Sequence, residues 1–260
     1  MLAYERHGTG PPLVLLHGLG HRRQAWNAVL PLLTADRTVI TLDLPGHGDS
    51  PPLATAGRPA VQAMAEEVFA FFGELELDRP HVAGNSLGGA LALMAGANGL
   101  ASTVTGLSPA GFWTRGWEIR YVKAIFVSAL LAGQVARPLV PALVRSPAGR
   151  RVIDGAFVGR PSRMPAEQAL GDSVAFLSAR DAVYAVLADG ITFTQTVPAD
   201  VPVTIAWGAK DWLLPPRQAR RAKQRLPQAK FVALPGCGHV PMTDDPGLVA
   251  RVLLDGSAVG

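Results

Sequence analysis

The sequence predicts an α/β fold, a mostly parallel sheet covered by helices on both faces. Short continuous apolar runs, such as Leu13-Val14-Leu15-Leu16 and Thr38-Val39-Ile40-Thr41-Leu42, lack polar alternation, as strands buried on both sides require. These runs alternate with helical stretches along the chain. Several end in clusters of glycine, proline or aspartate, at the strand edge where open parallel sheets gather their chemistry.

In chain order, Met1 to Arg6 reads as a short edge strand and Gly8-Thr9-Gly10-Pro11-Pro12 as a turn. The strand Leu13 to Leu16 runs into His17-Gly18-Leu19-Gly20. A helical stretch around Trp26 to Leu33 follows, then the strand Thr38 to Leu42 and the tight loop Asp43 to Ser50. Val61, Met64, Ala65, Val68, Phe72 and Leu75 recur at helical spacing and predict an amphipathic helix over 61–75. An apolar run ending in His81-Val82-Ala83 and a small-residue helix from Ala90 to Ala97 enclose a glycine-rich turn, and Thr103 to Leu107 is a further strand. From Gly111 to about Thr196 the rhythm breaks into helix-like patches punctuated by Pro138, Pro141, Pro147, Pro161 and Pro165. Alternation resumes with strands at Val203 to Trp207 and Lys230 to Leu234, and helices at Pro216 to Arg225 and Pro246 to Leu254. The organisation expected is a core over 1–110, a helical lid insertion over 111–196 and the rest of the core over 197–260.

Composition narrows the classes. With 48% hydrophobic and 17% charged residues the chain is globular, not disordered. The densest basic patch, Arg217, Arg220, Arg221, Lys223 and Arg225, has the spacing of one solvated helix face, and no nucleic-acid module accompanies it. Cys237 is the single cysteine, so no internal disulfide forms, which fits a reducing compartment. No apolar segment follows a basic N-terminal region, so no signal peptide is expected. The stretch Ala124 to Val144 is broken by Arg137, Pro138 and Pro141, so no membrane span is expected either. The reading is a soluble cytoplasmic protein acting on a small molecule without nucleic acid, cofactor or metal, its oligomeric state open.

The chemistry centres on Gly84-Asn85-Ser86-Leu87-Gly88, a G-x-S-x-G turn between strand and helix. Such a turn holds the serine in a strained conformation, hydroxyl outward, and a Cβ on Gly84 or Gly88 would strike the neighbouring strand and helix. A glycine-rich turn with an incidental serine would match the same motif, so partners must decide. A serine hydroxyl needs a base, and the base needs an orienting group. His239, in Gly236-Cys237-Gly238-His239 just past the last strand, is the candidate base. Asp211, in Trp207-Gly208-Ala209-Lys210-Asp211 after another strand, is the candidate acid, its bland alternative being a turn or capping role. Asp244 and Asp245 precede Pro246 and read as helix-capping charges. His17 reads as a loop brace; His47 lies in a glycine-rich turn, and His7, His21 and His81 lie in or beside turns. Cys237 reads as a small packing residue.

Five motifs in order, Leu15-Leu16-His17-Gly18-Leu19-Gly20, Asp43-Leu44-Pro45-Gly46-His47-Gly48-Asp49-Ser50, Gly84 to Gly88, Trp207 to Asp211 and Gly238-His239, carry a resemblance over nearly the whole chain. The sequence resembles the lid-bearing α/β-hydrolase fold enzymes of the serine esterase, haloperoxidase-like and C–C hydrolase group. The order Ser86, Asp211, His239 is that of the fold. The resemblance implies an α/β-hydrolase fold with a helical lid inserted after the sixth strand. It also implies a catalytic triad of Ser86, Asp211 and His239, and an oxyanion hole from the N–H groups of Leu19 and Leu87. The activity implied is hydrolysis of small to medium, largely apolar carboxylic esters through an acyl-enzyme. Alternatives on the same residues are a C–C hydrolase of dienoic diketones, a thioesterase or acyltransferase, a perhydrolase, and a ligand receptor with little turnover. Asn85 is shared with the C–C hydrolases, but Val240 stands where they usually carry tryptophan. In the insertion, Ile125, Phe126, Val127, Leu130, Leu131, Phe157, Phe176 and Leu177 either line an acyl pocket or fasten the lid to the core.

Overall fold

The computed structural model describes residues 1–113 and 116–258. Seven strands form one sheet: β1 (Tyr4–His7), β2 (Pro12–Leu16), β3 (Thr38–Leu42), β4 (His81–Asn85), β5 (Thr103–Leu107), β6 (Val203–Gly208) and β7 (Lys230–Leu234). Their spatial order is β1-β3-β2-β4-β5-β6-β7. Only β1 is antiparallel, pairing with β3 at the edge; the pairs inward from there are parallel. Helices α1 (Ala60–Glu74) and α2 (Leu87–Ala97) precede five helices between β5 and β6: α3 (Gly116–Ala136), α4 (Val140–Leu143), α5 (Pro147–Asp154), α6 (Ala166–Ser178) and α7 (Arg180–Asp189). Then come α8 (Arg217–Arg225), α9 (Pro241–Asp244) and α10 (Pro246–Gly256).

Side chains alternate across the strands and so feed two cores. Val14, Leu16, Ile40, Leu42, Val82 and Val104 face α1 and α2, meeting Met64, Val68, Phe71 and Leu91. Leu13, Leu15, Val39, Ala83, Leu107 and Ala206 face the other way, against Trp26, Val29, Leu33, Val249 and Leu253. Both faces are covered, which is why these strands read as unbroken apolar runs.

Two expectations need correction. The helical segment follows the fifth strand of this sheet, not the sixth, because a single strand stands ahead of β2 among the described residues. The helix expected at 26–33 is two 3₁₀ turns, Arg23–Trp26 and Leu30–Leu32, with Pro31 in the second, where it supplies no N–H to carry a helix through. Helix α3 starts well before the apolar piece read from sequence and, by length and composition, is long enough to cross a bilayer. Its Val122, Phe126 and Leu130 nevertheless pack into the protein core.

The chain moves from β2 outward to β3 and then back across to β4, so its direction of growth reverses between β2 and β4. That switch point opens a crevice beyond the strand ends. The loops after β2, β4, β6 and β7 carry His17 to Gly20, Ser86, Asp211 and His239.

Candidate active site

Ser86 joins β4 directly to α2 with φ 55° and ψ −115°, a left-handed conformation that a serine adopts only when its surroundings enforce it. They do. The Ser86 amide donates to the Leu107 carbonyl of β5 at 2.9 Å, and the Ser86 carbonyl accepts from Ala90 and Ala110, each at 3.0 Å. The flanking glycines are required by close approach. A Cβ on Gly84 would lie 2.2 Å from the Gly88 carbonyl carbon, and one on Gly88 would lie 2.2 Å from the Leu16 carbonyl oxygen. The turn therefore packs between α2 and β2 as the motif requires. As the first helical residue, Leu87 has an N–H with no carbonyl a turn earlier to bond.

His239 Nδ1 donates to Asp211 Oδ2 at 2.8 Å, and both residues are buried. The other carboxylate oxygen of Asp211 accepts the Leu214 amide at 2.7 Å. Asp211 thus has the turn role that was its bland alternative, and holds the imidazole as well. A neutral ring that donates from Nδ1 carries its lone pair on Nε2. That atom is buried, has no hydrogen-bond partner among the described residues, and belongs to a residue lining the same cavity as Ser86.

The loop after β2 is set by two histidines. His17 Nδ1 donates to the Gly18 carbonyl at 2.8 Å while its Nε2 accepts the Leu44 amide at 3.0 Å. His47 Nε2 accepts the Gly20 amide at 3.0 Å and its Nδ1 donates to the Pro45 carbonyl at 3.0 Å. Each ring acts as donor and acceptor at once, which only the neutral form can do. Burial depresses both, His17 well below the ordinary imidazole range and His47 to about 4. The loop-bracing role read for His17 from sequence is what these bonds describe. Gly18 lies against the serine, a Cβ there falling 3.3 Å from Ser86 Cβ. Leu19 is thereby held beside Ser86 and Leu87, and all three border one small chamber.

Three features escaped the sequence. The Phe157 carbonyl, just beyond α5, accepts the amides of His239 at 2.8 Å and Val240 at 3.0 Å. Asp244 caps no part of α10. Its carboxylate accepts the amides of Gly238 at 2.7 Å, Gly159 at 2.9 Å and Arg160 at 2.7 Å, binding the histidine loop to the helical segment. Asp245 does cap α10, accepting the Leu248 amide at 2.9 Å. Asn85 Nδ2 donates to the carbonyls of His239 at 2.8 Å and Leu107 at 3.0 Å, fastening the elbow to the same loop. Cys237 is buried, and burial first, then the Asp244 charge, raises its thiol to about 11. It is a protonated packing residue, not a nucleophile.

A cavity of ≈ 470 Å³ reaches from Ser86 and His239 beneath α3, α5 and α6. Of the apolar residues named from sequence, Ile125, Phe126, Phe157, Phe176 and Leu177 line it. Leu130 is buried in the core instead, Val127 packs against the core, and Leu131 faces solvent. Phe126, Phe157 and Phe176 meet pairwise at 5.7 to 6.3 Å between ring centres, so they both line the cavity and hold the helices together. The cavity lining also includes Asp154 and Asp172; burial, then the Asp172 charge, raises Asp154 to about 7. A second chamber of ≈ 50 Å³, also bordered by Ser86, runs between Leu19, Leu87, Trp113, Ile191 and Leu213. Among the described residues no group of three or more His, Cys, Asp or Glu could hold a metal ion.

The profile of the alpha/beta hydrolase family matches residues 13–252. The chain belongs to that family. It is 34% identical over 258 residues to a pimeloyl-[acyl-carrier protein] methyl ester esterase of Aromatoleum aromaticum, covering 94% of this chain and 97% of that one. It is 30% identical over 244 residues to a dihydrolipoyllysine-residue acetyltransferase component of an acetoin cleaving system from Pseudomonas putida. That match covers 89% of this α/β hydrolase but only 59% of the Pseudomonas protein. Among solved structures, a bacterial membrane phospholipase A superposes with a TM-score of 0.73 at 25% identity, covering 98% of this chain and 82% of that one.

Proposed function

We propose that this α/β hydrolase is a serine hydrolase that cleaves carboxylic esters with a largely apolar acyl part. The observation that carries the reading is the pairing of a strained, cavity-lining Ser86 with a His239 whose Nε2 is free and whose Nδ1 is held by Asp211. Kinship with an esterase at 34% identity supports the same reaction class.

In this mechanism Ser86 Oγ attacks the ester carbonyl carbon as its proton passes to His239 Nε2. Asp211 stabilises the imidazolium and fixes its tautomer. The oxyanion sits between the N–H groups of Leu19 and Leu87, where loss of one such donor commonly costs ~10²–10³ in rate. The tetrahedral intermediate collapses, the C–O bond to the alcohol breaks, and the alcohol leaves with the His239 proton. Water, deprotonated by His239, attacks the acyl-enzyme, and the acid departs as Ser86 regains its proton. The hydrogen bond from serine to histidine commonly tightens only when substrate arrives. The large cavity takes the acyl chain, and helices α3 to α7 act as its lid.

The test is multiple-turnover hydrolysis of p-nitrophenyl esters of graded chain length by the wild type and Ser86→Ala. Turnover that disappears in the variant, with an optimum at medium chain length, is the expected result. Equal inertness of the two proteins would end the ester reading.

A further inference from the structure

Helix α3 turns an apolar stripe outward as well as inward. Trp117, Tyr121, Ala124, Leu131 and Val135, with the polar Ser128 among them, recur every three or four residues, so they share one face, and all are exposed. Leu131 is 54% and Val135 85% exposed. The aromatic end of the stripe is ordered by its neighbours. Tyr121 Oη donates to the Trp212 carbonyl at 3.0 Å, Trp212 is itself exposed, and the Arg217 guanidinium stacks 4.8 Å from the Trp117 ring centre.

Charge says what would cover this face. Between Glu118 and Asp154 the sequence has six lysines and arginines and no aspartate or glutamate. Those six charges exceed the formal net charge of +4 of the whole chain. Arg120, Arg137, Arg145 and Arg151 are exposed among them. The cavity opens here too, since Val152, 81% exposed, and the exposed Leu143 and Ser128 belong to its wall.

We propose that the outward face of the α3 to α5 segment docks on an anionic phospholipid surface with the cavity mouth turned toward it. An apolar stripe with aromatic residues at one end and arginines around it meets both demands of such a surface, acyl-chain contact and headgroup charge. Either alone gives marginal attachment; together they add. A second copy of the chain fits less well, because a two-fold contact would set the same positive segment against itself. Since the inner faces of α3 and α5 line the cavity, an apolar ester dissolved in the bilayer would reach the site without crossing water. Only that delivery rests on the ester-hydrolase reading; docking does not.

The experiment is flotation of the full chain with vesicles of phosphatidylcholine alone, or of phosphatidylcholine and phosphatidylglycerol in equal parts. Binding to the anionic vesicles, weakened at about 0.5 M salt, is expected. The exposed double variant Leu131→Glu/Val135→Glu, checked for an unchanged melting curve, should partition on the order of tenfold less. Ser86→Ala should bind like the wild type, which separates docking from turnover. Equal binding to neutral vesicles, no binding to anionic ones, or a dimer in ultracentrifugation that the double variant dissolves would each overturn the proposal.

Discussion

The carbonyl of Phe157 accepts the backbone amide of His239 at 2.8 Å, joining a residue from the helical segment to the loop that carries the proposed base. With Asp244 binding amides on both sides of that contact, the segment and the loop form one hydrogen-bonded unit. Asp244→Ala would leave three amides without their acceptor, at a cost of about 3 kcal/mol. Looser placement of the imidazole should lower kcat by roughly 10–100-fold with KM little changed, and Asp244→Asn should recover part of the loss. Steady-state kinetics beside thermal melts would check this; a variant with lowered melting temperature and wild-type kcat would refute the positioning role.

Asp211→Asn keeps a side chain able to accept the Leu214 amide but no longer fixes the His239 tautomer. A kcat loss on the order of 10⁴ with little change in melting temperature is expected. Loss of less than about tenfold would mean that another group orients the histidine.

Gly88 and Gly73 should respond to alanine in opposite ways. At Gly88 the new methyl meets the Leu16 carbonyl oxygen at 2.2 Å, backbone against backbone, with no flexible neighbour to yield. Gly88→Ala should cost about 3 kcal/mol or more, or prevent folding. Nothing lies within 4 Å of the position at Gly73, in the last turn of α1, so Gly73→Ala should stabilise by roughly 0.5–1 kcal/mol. Denaturant melts of both variants measure the contrast.

Two desolvated groups, the buried His47 and the half-buried Asp154, pull stability in opposite directions with pH. His47 is neutral in the fold down to about pH 4, whereas an unfolded chain protonates it from about 6.5, so its contribution is lost as pH falls through that window. Asp154 stays protonated in the fold up to about pH 7, whereas an unfolded chain ionises it from 3.8, so stability falls as pH rises from 3.8 to 7. Asp154→Asn should therefore stabilise at pH 8 by up to about 4 kcal/mol and change little at pH 3.5. Melting curves across that range, with an equal effect at both ends, would contradict the account.

Local backbone geometry set by neighbouring residues was readable in advance. The G-x-S-x-G turn needs only its neighbours, and Thr38–Leu42 and Thr103–Leu107 emerged as strands at the expected bounds, buried along their whole length; Lys230–Leu234 did too, although it is a partly exposed edge strand. Asp244 was misread because its partners, Gly159 and Arg160, lie more than 80 residues away, and an aspartate near a helix start looks like a cap. Leu131 was misplaced for a related reason: periodicity gives the faces of α3 but not which of two apolar faces turns inward. The basic run of α8 read as solvated, yet Arg221 pairs with the buried Glu118 at 2.8 Å and donates to the Phe112 carbonyl at 3.0 Å. Charge spacing identifies a helix face; it does not say what lies across from it.

Two unequal chambers border Ser86, ≈ 470 Å³ and ≈ 50 Å³, and their inequality gives the site a sense of direction. Two isomeric esters with the same atoms, one with its long chain on the carbonyl and the other with it on the alkoxy oxygen, offer equal apolar surface to the protein. With the long chain of each in the wide arm, the alkoxy oxygen falls on opposite sides of the carbonyl carbon in the two isomers. An ester hydrolase of this shape would tell constitutional isomers apart by which of them presents its alkoxy oxygen to His239, the group that protonates it.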